Sequence, residues 1–119
     1  MTSKEAKAIV RWFQSSIGLS DWSISVTIGE PPEDLGDDIF PCDRKHWMGR
    51  CCFKTQFREG SIWVNPDAHD TDGYGTVSST LFHELLHVFL ASCDIESSEP
   101  MNEYAVNRLA DALDSLYTK

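Results

Sequence analysis

In the stretch 81-LFHELLHVFLASC-93, two histidines stand four residues apart and a glutamate follows the first. On an α-helix, that spacing puts His83 and His87 only about 40° apart, so two imidazoles can reach one tetrahedral ion. Glu84 lies about 100° from His83 and about 60° from His87 on the same wheel. It therefore flanks an ion held by the pair, where a base acting on a water in the fourth position must stand. The competing reading is a core helix whose histidines are satisfied by ordinary hydrogen bonds. Either way the helix is apolar nearly all round, with Val77, Leu81, Leu85, Val88 and Phe89 joined by Phe82, Leu86 and Leu90. Two histidines and a glutamate in such a helix are costly unless something satisfies them.

H-E-x-x-H is the signature of zinc metalloproteases. A metal site of this kind needs a third protein ligand. Metzincins continue H-E-x-x-H-x-x-G-x-x-H, but here Leu90 stands where Gly would turn the chain and Cys93 where the last His would be. Without that Gly the helix continues, and position 93 comes about 240° around from His87. Cys93 would need the helix to break after Leu90. Asp94, Glu96 and Glu99 lie in the connection and stay open as ligands. Glu103 is the better placed, sixteen residues after His87 in the first turn of the next helix. The connection 92-SCDIESSEP-100 lets that helix fold back beneath the first. Asn107, one turn further on, can hydrogen-bond a ligand histidine.

The elements that must position these groups are legible in the pattern. Residues 3–18 read as a helix, with Ala6, Ile9, Val10, Phe13 and Ile17 on one face and Gly18 as its stop. In 22-WSISVTI-28, Trp22, Ile24, Val26 and Ile28 alternate with polar residues, as in a half-buried strand. Residues 29–45 are rich in Pro, Gly and Asp and read as a long surface loop. A second strand is expected over 47–57, with Trp47, Cys51, Phe53 and Phe57 on one face, followed by a turn at Arg58-Glu59-Gly60. The third strand, 61-SIWVN-65, ends at Pro66. The loop 66–75 leads to the histidine helix over 76–92. The last helix, over 100–117, has Ser98 or Glu99 as its cap and Val106, Leu109, Leu113 and Leu116 as its apolar stripe.

The chain has 119 residues, 41% of them hydrophobic, and a net charge of −9. One globular domain over 1–119 is expected, in the α+β class. With ten Lys and Arg in all, nucleic acid is a poor partner. No signal-peptide or membrane-spanning run appears, so no membrane association and a cytoplasmic monomer are expected. Cys42, Cys51, Cys52 and Cys93 form no CxxC pair and read as free thiols in a reducing compartment.

The segments 83-HELLH-87 and 102-NEYAVNRLA-110 together resemble the gluzincin metallopeptidases, in which a glutamate on the helix after the active-site helix is the third zinc ligand. The run from Glu103 is similar to the E-x-x-A-N-x-F-A pattern of ImmA/IrrE peptidases, with Asn107 and Ala110 in step, Val106 for the Ala and Leu109 for the Phe. The layout also resembles minimal gluzincins and small phage-type metallopeptidases. SprT-like proteins share the layout but use a later His, and none follows His87.

The resemblance implies a zincin-like fold: an N-terminal helix, a small three-stranded twisted sheet, an active-site helix and a C-terminal glutamate helix. It implies His83, His87 and Glu103 as ligands of one catalytic zinc, Glu84 as catalytic base, and a protein or peptide substrate. It further implies that 61-SIWVN-65 borders the cleft, where an extended peptide can add as a strand. Trp63 would line that cleft or lie on the sheet surface. An oxyanion donor can be sought among His46, His69, Tyr74, Tyr104 and Tyr117, of which His69 and Tyr74 directly precede the zinc helix. A zincin-fold protein that holds zinc for a regulatory or interaction role, with little proteolysis, is the alternative.

Overall fold

The computed structural model describes residues 1–29, 49–66, 76–97 and 100–118. Three helices and a three-stranded mixed sheet make up these residues, an α+β arrangement. None of the helices is long and apolar enough to cross a membrane.

Helix α1 (Ser3–Ser16) starts in a capping box: Thr2 Oγ1 accepts from the Glu5 N–H, and the Thr2 N–H donates to the Glu5 carboxylate. This satisfies two backbone donors that a helix start leaves unpaired. Ala6, Ile9, Val10 and Phe13 are buried as expected, but Ile17 lies beyond the helix and is 39% exposed. Gly18 is not the left-handed stop. Leu19 takes that conformation, at φ 75°. Gly18 is required by packing instead, because a Cβ there would lie 2.9 Å from the Phe89 ring.

Strand β1 (Ser23–Ile28) alternates as its sequence predicts, with Ser23, Ser25 and Thr27 exposed. Strand β2 (Gly49–Lys54) is shorter than the expected 47–57. Residues Thr55–Phe57 form a 3₁₀ turn that ends on Arg58 at φ 53°. Glu59 and Gly60, expected in a turn, already belong to strand β3 (Glu59–Val64). The chain reverses over residues 55–58, closing on the left-handed Arg58, and pairing resumes with Glu59 opposite Lys54. Phe53 and Phe57 are exposed, Phe57 lies in the turn and not on the strand, and Trp47 lies outside the described residues.

The strand order is β1-β3-β2, with β1 parallel and β2 antiparallel to β3. The central strand β3 sends Ile62 and Val64 into the core. Trp63, on the opposite face by strand alternation, is also buried, and its Nε1–H donates to the Gly29 carbonyl at 2.8 Å.

Helix α2 (Val77–Ser92) is capped by Thr76, whose Oγ1 accepts from the Ser79 N–H at 3.1 Å. It packs on β2 and β3 through Leu81, Leu85 and Val88, all fully buried. Helix α3 (Pro100–Tyr117) packs against α2. Its buried stripe is Val106 and Ala110, with Leu113 and Tyr117 partly covered. Leu109 and Leu116, expected in the stripe, are more than half exposed. Both sets satisfy helical spacing, but the one observed buries Ala110 and puts Glu103 on the side facing α2. Edge contacts of Trp12 and Tyr117 with Phe82 tie the three helices together.

Candidate metal centre

His83 and His87 point from one face of α2, as a four-residue spacing requires. Their Nε2 atoms lie 3.0 Å apart. Glu103 comes from the first turn of α3 and meets both: Oε2 is 3.2 Å from His83 Nε2, and Oε1 is 2.7 Å from His87 Nε2. Among the described residues, this is the group of His, Cys, Asp and Glu side chains whose donor atoms converge closely enough to hold a metal.

The donor set fits zinc. A tetrahedral zinc with nitrogen and oxygen ligands at about 2.0–2.2 Å sets neighbouring ligand atoms about 3.3–3.5 Å apart. The observed edges of 3.0, 3.2 and 2.7 Å are shorter, the His87–Glu103 edge by about 0.6–0.8 Å, so the side chains must turn outward to admit the ion. With a proton on each Nε2, each ring can donate to its own Glu103 oxygen, leaving the two N–H groups 3.0 Å apart. With neither protonated, two lone pairs and a carboxylate turn toward one point, the arrangement that a cation takes.

Both rings have a further partner. His87 Nδ1 is 2.7 Å from Ser97 Oγ, and Asn107 hydrogen-bonds His83. Burial holds the His83 pKa below its ordinary value, and the neighbouring His87 lowers it further against the opposing pull of Glu103.

Glu84 is the buried member of the site, 7% exposed. It lies against β2, where the Cys51 thiol donates a hydrogen bond to its carboxylate. Burial pushes its pKa up to about 7; the Cys51 bond and Arg50 oppose the rise, and Glu103 adds to it. Burial, with the Glu84 charge, likewise pushes the Cys51 thiol up. Gly49 permits this close seat, because a Cβ there would stand 2.9 Å from both Thr80 Cγ2 and the Trp63 carbonyl oxygen.

A groove of about 570 Å³ opens over these groups. Its α2 side carries His83, Glu84, His87 and Ala91, and Gly49, Arg50, Cys51 and Phe53 of β2 form one wall. Ile95, Glu96, Ser97 and Glu103 form the other. The expected border, 61-SIWVN-65, is not there: β3 is central and paired on both sides, and Trp63 is buried. The edge strand β2 takes that place.

The alternative ligands stay apart from the triad. Helix α2 runs on through Leu90 to Ser92, so Cys93 caps it and is exposed. Asp94 is exposed, and Glu96 lines the groove without joining the convergent group. Tyr104 is 65% exposed beside Arg108, and Tyr117 packs among Trp12 and Phe82. Cys42, His46, His69, Tyr74 and Glu99 lie outside the described residues.

Sequence reasoning missed Ser97, Cys51 and Gly49. Alternation placed Cys51 on one face with Trp47, Phe53 and Phe57 but did not name its partner. A buried serine in a polar connection gives no sequence signal.

The chain matches no protein-family model, no curated protein and no solved structure.

Proposed function

We propose that the protein is a zinc-dependent peptidase with a zincin-like fold of the gluzincin type, its zinc held by His83, His87 and Glu103. The observation that carries this reading is the convergence of two Nε2 atoms and a carboxylate beside a buried glutamate in an open groove. Zinc bound there would supply a Lewis acid that acidifies a water and polarises a peptide carbonyl.

The chain's own residues supply the rest. Glu84, with a pKa of about 7, takes the proton of the attacking water on its carboxylate and passes it to the leaving amine. Carboxylates tuned close to neutrality suit both halves of that transfer. The outer edge of β2, which pairs with no other described strand, offers main-chain groups to an extended peptide. The exposed Phe53 and Ile95 give the groove an apolar end that suits an apolar side chain of such a peptide.

The test is metal content followed by cleavage. Protein purified without a histidine tag should carry about one equivalent of zinc, as one three-ligand site requires. The zinc-loaded protein should cleave members of a peptide library, and Glu84→Gln should not. Zinc content well below half an equivalent rejects the metal site. Zinc binding with no cleavage above Glu84→Gln rejects the peptidase and leaves a zinc-holding interaction protein.

A further inference from the structure

We infer that Ser97 is a positioning residue for the metal centre: its Oγ accepts the Nδ1–H of His87 and holds that ring with its Nε2 lone pair aimed between His83 and Glu103. The inference rests on the zinc reading above and names the group that orients one of its ligands.

Ser97 Oγ is 2.7 Å from His87 Nδ1, and Ser97 is only 7% exposed. A hydroxyl so buried needs a partner. A neutral imidazole that offers Nε2 to a metal must keep its proton on Nδ1, and that N–H needs an acceptor. Each group therefore satisfies the other, and the pairing fixes both the tautomer and the angle of the ring.

The segment that carries Ser97 is itself held at both ends. Helix α2 ends in a Schellman turn, in which the Ile95 N–H donates to the Leu90 carbonyl at 2.9 Å and the Asp94 N–H to the Ala91 carbonyl at 3.1 Å. Asp94 takes the left-handed conformation that this turn needs, at φ 59°. Three residues after Asp94 the chain comes back alongside α2, and Ser97 meets His87. Asn102 Nδ2 then donates to the Glu96 carbonyl at 2.8 Å, fastening the segment to the first turn of α3. Glu103 is the next residue. One short segment thus delivers Ser97 to the Nδ1 edge of His87 and Glu103 to its Nε2 edge.

The experiment is zinc competition with a chromophoric chelator, with His87 followed by ¹⁵N NMR. Ser97→Ala should bind zinc about 10- to 100-fold more weakly than wild type, the usual cost of losing a group that orients a ligand histidine. Ser97→Thr keeps the hydroxyl and should stay within about threefold of wild type. In the zinc-loaded wild type, the His87 Nδ1–H should give a signal protected from solvent exchange, and Ser97→Ala should lose that protection. Melting of the metal-free variants checks that both fold. Unchanged affinity in Ser97→Ala, or equal loss in Ser97→Thr, would overturn the inference while leaving the zinc site standing. A wild-type protein that binds no zinc would overturn both.

Discussion

Two glutamates, nineteen residues apart, line one groove from different elements, Glu84 from α2 against the β2 wall and Glu103 from the facing wall. Glu84 is held between a helix and an edge strand and is 7% exposed. The Glu103 side chain reaches across from α3 and is 36% exposed. The first meets a thiol and a glycine; the second meets two imidazoles. Burial that outweighs the pull of Arg50 raises the Glu84 pKa and suits a group that must accept and release a proton. Proximity to two ring nitrogens suits a ligand. Under the proposed zinc reading, their surroundings suit the two carboxylates to different work.

Exchanging the losses should separate the walls most strongly. Glu103→Ala should weaken zinc binding by more than the roughly 100-fold that an orienting group costs, as read by chelator competition. Glu84→Gln should leave that affinity close to wild type and lower kcat by about 10²- to 10⁴-fold, the share of a general base. If Glu84→Gln lost zinc as Glu103→Ala does, the division of roles would be wrong.

The pH dependence of stability comes next in size. The folded-state pKa of Glu84, about 7, is above its ordinary 4.5. A carboxyl raised on folding favours the protonated native state, so its contribution to stability falls as pH rises from about 4.5 to about 7. In metal-free protein the loss has an upper bound of about 3 kcal/mol, at about 1.4 kcal/mol per unit. His83, with its lowered pKa, opposes this over part of the same range. The comparison with Glu84→Gln isolates the glutamate. Denaturant midpoints taken with a chelator present should show the variant gaining on wild type between pH 4.5 and pH 7. A constant gap across that range would mean that Glu84 is not raised.

The walls differ also in what holds them. Gly49→Ala places a methyl group 2.9 Å from a backbone oxygen of β3, so backbone must move. The expected cost is about 1–3 kcal/mol of stability, as in other overpacked sites. Because the strain falls between β2 and α2, kcat should drop while zinc affinity holds. Equal losses of both would show that the two walls move as one body.

Much of this was legible from spacing. His83, Glu84 and His87 follow from one helix, and Glu103 from the length of a connection together with helical phase. The missing Gly at Leu90 implied a helix that runs on, and it does run on to Ser92, with Cys93 outside the convergent group. Sheet order was not legible. Three strands with alternating patterns do not say which is central, and so β3 was expected at the cleft that β2 borders. Leu109 and Leu116 obey the same periodicity as Val106 and Leu113, and only the partner helix selects between the sets. Contacts such as Ser97 with His87 depend on how a connection returns, which local pattern does not encode.

The smallest expected effect concerns the connection alone. Asp94 sits at φ 59° as the left-handed residue of the Schellman turn, and its side chain is exposed. A residue with a Cβ pays about 1–2 kcal/mol in that conformation, somewhat less for Asp, and Gly pays none of it. Against this, Gly loses more freedom on folding than Asp does. The net expectation for Asp94→Gly is a gain of about 0.5–1 kcal/mol in the stability of metal-free protein, read from denaturant midpoints. Since the turn geometry is kept, Ser97 and Glu103 should arrive as before, and zinc affinity and kcat should not change. A fall in zinc affinity in this variant would show that Asp94 does more than shape the turn, and that the Glu103 wall reaches one residue further along the chain than the hydrogen bonds indicate.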